Sequence, residues 1–209
     1  MPDGESPEDP VRAAGQGLAA EAARFAALGW MRGTSGNLSV VLCQIPLRLA
    51  VTSSGLDKGE LSAADVVVVD EAGRAVGPGE QDGARRPSAE AALHARIAAL
   101  TGAGAVVHVH TVASVAAGRR WPGGVELENL EMLKGIEMPA EGTRVIVPVI
   151  ANSQDMRELG GRLEQARQPG VPAVVVAGHG LYAWGADLLA ARHHTEVIEW
   201  LLEYTLATA

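Results

Sequence analysis

The run GAVVHVHTVASV at residues 104–115 constrains this chain more than any other stretch. Ala105, Val106 and Val107 read as a strand entering a core, and strand side chains repeat every two residues. His108 and His110 therefore share one face at the end of that strand. Two adjacent imidazoles are costly there unless something occupies them. A metal would do so; the bland alternative is a pair of satisfied core histidines.

His179 tips the balance toward the metal. It stands between Gly178 and Gly180, after the apolar run AVVVA and before another strand. Flanking glycines predict unusual dihedrals or close backbone approach, either of which aims a side chain into a site. Three neutral imidazoles form a common catalytic zinc set that leaves one position open to substrate or water. The expected cofactor is one Zn2+ per subunit. His94, His193 and His194 fall on predicted helices without matching context and read as packing or surface residues. Carboxylates near such a metal are the acid/base candidates. Glu131, in ENLEMLKG, is one. Glu90, in RPSAEAALH, is another, although a helix dipole favours a glutamate in a first turn whatever its function.

Two clusters, GTSGNLSV and TSSGLDKGEL, interrupt apolar strands with small hydroxyl and amide residues. Their accessible backbone N–H groups suit a phosphate, which selects Ser35, Gly36, Asn37, Ser53, Ser54, Gly55 and Lys58, with Ser88 nearby. Such a local nest is needed because the chain as a whole carries a formal charge of −8. That charge, with only 3% aromatic residues, argues against nucleic acid and anionic membranes as partners.

With 209 residues the chain is long enough for one domain with a sizeable core. Residues 1–9 read as a disordered tail and 10–209 as the single domain. The acidic start is unlike a signal peptide and no apolar run spans a membrane, so the expected location is cytoplasmic. Cys43, the lone cysteine, reads as a small core residue. Helices are predicted from Pro10 to about Leu28, over AEAALHARIAAL with Ser88 as cap, over TVASVAAG, over SQDMRELGGRLEQA and over the closing ADLLAARHHTEVIEWLLEYTLA. Strands are predicted in GNLSVVLCQ and LRLAVTSS, in a hairpin around Ala72-Gly73, in RVIVPVI, and in two runs hinged at Gly-His-Gly. This mixture predicts an α/β domain whose mainly antiparallel sheet is covered by helices.

SGNLS, TSSG, PSAEAALH, VVHVHT, EMLKG, VPVIANSQD and GHGLYAWG, in that order, resemble the class II aldolase family, from about residue 14 to the C-terminus. EMLKG and GHGLYAWG draw the resemblance toward its dehydratase branch. The resemblance implies an αβα three-layer sandwich, zinc on His108, His110 and His179, and a homo-oligomer, often a tetramer, with sites near subunit interfaces. It implies Glu131 as the dehydratase acid/base and gives Glu90 the place of the aldolase ligand or base. One departure is Ala177, where dehydratases often carry arginine. The implied substrate is a small phosphorylated ketose, 5-methylthioribulose 1-phosphate, losing water to give 5-methylthio-2,3-dioxopentyl phosphate in methionine salvage. The alternative is a class II sugar-phosphate aldolase of the fuculose- or rhamnulose-phosphate type. A non-enzymatic metal-binding protein is a further alternative, disfavoured because nothing in the sequence closes a fourth zinc position.

Overall fold

A computed structural model describes residues 9–77 and 85–209. The expected N-terminal tail lies outside them except Asp9, whose carboxylate caps the first helix by accepting from Val11 N. Most of the loop GEQDGARRP lies outside them too. Among the described residues no helix is long and apolar enough to cross a membrane.

Among the described residues, five α-helices and nine strands follow one another: α1 (Pro10–Ala27), β1 (Asn37–Gln44), β2 (Leu47–Thr52), β3 (Val66–Val69), α2 (Ala91–Thr101), β4 (Ala105–Val109), α3 (Val112–Arg120), β5 (Val125–Glu128), β6 (Arg144–Val147), β7 (Val149–Ile150), α4 (Met156–Ala166), β8 (Ala173–Val176), β9 (Gly180–Gly185) and α5 (Leu188–Thr208). A 3-10 helix, Glu131–Ile136, follows β5. Seven strands form one sheet in the order β3-β2-β1-β4-β9-β8-β7. Every pairing in it is antiparallel except β7 with β8. Helices cover both faces, so the expected αβα sandwich is the fold.

Strand alternation decides which residue faces which layer. On β4, Ala105, Val107 and Val109 join Leu18 and Phe25 of α1 and Ile198 and Leu201 of α5 in the larger core. Val106, between them, joins Leu93 and Ile97 of α2 and Leu159 and Leu163 of α4 on the opposite face. Each such aliphatic side chain, taken wholly out of water, contributes roughly 1.5–3 kcal/mol. His108 has the parity of Val106 and points to the α2/α4 side.

Four local expectations need correction. RVIVPVI is not one strand: the chain breaks at Pro148, which has no N–H to donate to a ladder. β6 then pairs with β5 in a separate two-stranded sheet, while β7 joins the edge of the main one. Ser88 does not cap α2; Glu90 holds the cap position, its own N–H bonds to Ser88 Oγ at 3.3 Å, and its side chain is used elsewhere. Cys43 is exposed, because β1 runs past the core and its register with β2 shifts between Val41 and Cys43. The hairpin at Ala72-Gly73 returns only as a single bridge, Val69 to Ala75.

Glu199 of α5 is buried, and Thr111 Oγ1, at the N-cap of α3, donates to its Oε2 at 2.8 Å. Burial pushes this carboxyl up to about 7 against the pull of Thr111, with the charge of Glu203 adding to the rise. A folded pKa above the unfolded value of 4.5 means that this group's contribution to stability is complete below pH 4.5 and is lost as the pH climbs through 7. Glu199→Gln is therefore expected to melt higher than the parent at pH 8, by at most about 3 kcal/mol, and to match it near pH 5. Denaturant melts at the two pH values check this; a parent that is the more stable at pH 8 contradicts it.

Candidate active site

The strand ends that matter all lie on one rim of the sheet. Asn37 at the start of β1 pairs with His108 near the end of β4, and His108 pairs with Tyr182 of β9. β8 ends at Val176 beside Gly180, and β7 ends at Ile150 beside Val176. His110 lies one residue past β4, with its backbone N–H donating to Trp30 O at 3.0 Å. His179 sits in the tight turn between β8 and β9, where Gly178 has φ +70°. At Gly180 a β-carbon would stand 2.3 Å from Val109 O and 3.2 Å from ring atoms of both His108 and His110. The two flanking glycines thus serve the two purposes expected of them, a left-handed turn and a close approach.

The three imidazoles converge through their Nε2 atoms. His108 Nε2 lies 2.8 Å from His110 Nε2 and 3.2 Å from His179 Nε2. His108 Nδ1 lies 3.0 Å from Leu181 O, which can only accept, so Nδ1 carries the proton and Nε2 presents a bare lone pair. Burial, opposed by the charge of Glu90, pushes the His108 pKa down to about 3. Burial also lowers His110, with His179 adding to the effect and Glu90 opposing it. Imidazole nitrogens converging on one point fit a divalent cation, and the three offer one nitrogen each within 4.8 Å of one another. Tyr182 lies flat on His108, with ring centroids 3.9 Å apart and planes 10° apart, and fixes that ring from the other side. Asn152 Oδ1 stands 3.4 Å from His179 Nδ1, on the far side of that ring.

Glu90 reaches the same point from the start of α2. Its Oε1 is 3.0 Å from His179 Nε2, its Oε2 is 3.4 Å from His108 Nε2, and Asn37 Nδ2 donates to Oε2 at 2.7 Å. Burial works against its charge, yet the hydrogen bond with His179 and that from the Asn37 amide hold it below the usual carboxylate range. Glu131 is elsewhere. It opens the 3-10 helix, its side chain is 77% exposed, and Lys134 Nζ donates to it at 2.5 Å. It does not line the histidine cavity of its own chain.

A cavity of about 410 Å³ opens beside His110, His179 and Glu90. Its wall includes Ser35, Gly36, Asn37, Ser53, Ser54, Gly55, Lys58 and Ser88, the whole set selected from the two small-residue clusters. Asn37 Oδ1 and Ser53 Oγ are buried without a partner among the described residues, the state expected of groups that await a ligand. Lys58 is buried and donates to Thr34 O at 3.1 Å and Leu56 O at 2.8 Å, so it ties the two clusters together as well as facing the cavity. Burial lowers its pKa, against the charge of Asp57. His94 is buried on Ser39 Oγ at 2.8 Å, and His194 Nδ1 lies 2.7 Å from Trp184 O; both lie outside the histidine cluster, as the sequence suggests. Sequence reasoning misses Tyr182, Asn152 and Met156. Tyr182 is legible only once the β4–β9 register is known, and Asn152 and Met156 only once β7 is placed on the same rim.

Replacing His179 by alanine leaves two imidazoles and is expected to abolish stoichiometric metal, since a two-histidine remnant binds weakly. Elemental analysis of dialysed protein checks this, and full occupancy in His179→Ala removes that residue from the site.

Residues 16–206 match the family described as Class II Aldolase and Adducin N-terminal domain. A methylthioribulose-1-phosphate dehydratase of Methylococcus capsulatus is 41% identical over 188 residues, 88% of each chain. One of Persephonella marina is 36% identical over 178 residues, 84% of this chain and 81% of the relative. Among solved structures, an L-fuculose 1-phosphate aldolase superposes with a TM-score of 0.74 at 29% identity, covering 94% of this chain and 86% of that one. With the fold, the three-histidine rim and this match over nearly its whole length, the chain belongs to the class II aldolase family.

Proposed function

We propose that the chain is a zinc-dependent methylthioribulose-1-phosphate dehydratase, a hydro-lyase of methionine salvage. The observation that carries this over an aldolase is its similarity to several dehydratases of that name, at 36–41% identity over 84–88% of the chain. The site supplies what the reaction needs. His108, His110 and His179 would hold a cation through ring nitrogens, a donor set that suits zinc. When bound it would supply Lewis acidity toward the C2 oxygen of the substrate.

The remaining work falls to the chain's own groups. Backbone N–H groups of Gly36 and Gly55 and the side chains of Ser35, Asn37, Ser53, Ser54 and Ser88 bind the 1-phosphate, with Lys58 adding positive charge. One proton leaves C3, one reaches the C4 hydroxyl as it departs as water, and the resulting enol gives up its C3 hydroxyl proton as C4 takes one, which yields the 2,3-diketone. Two carboxylates share this traffic. Glu90 takes up a proton at the metal end, a role that its ionised state and its 3.0 Å approach to His179 Nε2 support. Glu131 is the acid/base at C4, and because it stands exposed away from its own chain's cavity, it serves the site of a second copy in a homo-oligomer, which we take to be a tetramer.

Zinc-loaded protein incubated with 5-methylthioribulose 1-phosphate is expected to release the diketone, with no dihydroxyacetone phosphate from L-fuculose 1-phosphate. NMR of both mixtures decides; the reverse pattern makes the protein an aldolase. Glu131→Gln should retain metal and lose roughly 10²–10⁴-fold in turnover with little change in KM. Mixed and reassembled with His179→Ala, it should regain activity. Near-parental turnover of Glu131→Gln removes its catalytic role, and mixtures that stay inactive remove its service across subunits.

A further inference from the structure

The sheet order sets out the cavity from one end to the other. The end of β2 and the start of β1 carry Ser53 and Asn37; the ends of β4 and β8 carry the histidines; the segment after β7, at the sheet edge, carries Asn152, Gln154 and Met156. The cavity is therefore a track running from the phosphate nest, past the metal ligands, to the β7 edge. Met156 is the first residue of α4, held there by the Asp155 cap. It is half-buried against the core formed by α2, α4 and their face of the sheet. Every other described lining residue is polar, charged or small, so Met156 is the one extended apolar side chain among them.

We propose that Met156 selects the group carried on C5 of the substrate, an inference that rests on reading the site as a ketose 1-phosphate dehydratase. With the phosphate at the β1–β2 end and the C2 and C3 oxygens toward the histidines, C4 and C5 extend toward the β7 edge. A methylthio group there meets a thioether, and the two polarizable sulfurs and their methyl groups gain dispersion contact while both leave water. A C5 hydroxyl in the same place loses hydration against a side chain that cannot hydrogen-bond to it with any strength. The amides of Asn152 and Gln154 are at exposed positions and stay hydrated, so the apolar contact makes the difference. Met156 also walls a second cavity of about 470 Å³ between α2 and α4, beside Ala92, Gly160 and Gly161. Its three flexible torsions have room to fit the ligand.

The test compares 5-methylthioribulose 1-phosphate with ribulose 1-phosphate, which carries a hydroxyl at C5, on zinc-loaded parent, Met156→Gln and Met156→Leu. The parent should prefer the methylthio substrate in kcat/KM. In Met156→Gln that preference should fall by about tenfold, mainly through a higher KM for the methylthio substrate. Met156→Leu, apolar and of similar volume, should keep most of it. A preference unchanged in Met156→Gln, or equal losses on both substrates, overturns the role of Met156 while leaving the dehydratase intact. A parent that dehydrates neither substrate overturns the functional reading and this inference with it.

Discussion

The hydrogen-bond register between β4 and β9 sets Leu181 O against His108 Nδ1 and the Tyr182 ring against the His108 face. The carbonyl holds the ring proton on Nδ1, the tyrosine holds the plane, and together they leave the Nε2 lone pair aimed at His110 and His179. A slip of one residue would turn His108 to the α1/α5 face and put a valine in its place. The register is secured by apolar burial on both faces of β4, where Val106 and Val107 are fully buried in opposite cores. The polar site is thus held by hydrophobic packing that has no chemistry of its own.

Around that fixed ring the other groups arrive from separate elements. Glu90 comes from the start of α2, where its backbone ends a turn and its carboxylate is free to bond Asn37 and face the histidines. One buried and two half-buried imidazoles beside one ionised carboxylate would be a poor arrangement in an apolar core. It becomes favourable when a cation takes the lone pairs, which is the physical reason to read the cluster as a metal centre rather than as packing.

Much of this was legible in the sequence because it depends on local rules. The two-residue period put His108 and His110 together, and the glycines on either side of His179 announced a constrained turn. The phosphate-nest residues stood out as small polar breaks between apolar strands, and all of them line one cavity. What depends on tertiary geometry was not legible. Within one chain it is Glu90, not Glu131, that stands beside the histidines, because loop position in sequence says nothing about which rim a side chain reaches. Pro148 split an apparently continuous strand between two sheets, and Cys43 lay on a strand that outruns its core. Tyr182 and Met156 needed the strand order before either could be seen as part of the site.

The central claim is that the β4–β9 register aims the Nε2 atoms of three imidazoles at one cation. Diffraction from zinc-soaked crystals, with anomalous differences measured on both sides of the zinc absorption edge, tests it most directly. The account predicts one strong peak at about 2.0–2.1 Å from the Nε2 atoms of His108, His110 and His179. Peaks only elsewhere on the protein, or a peak bound through Nδ1 of His108, would contradict it.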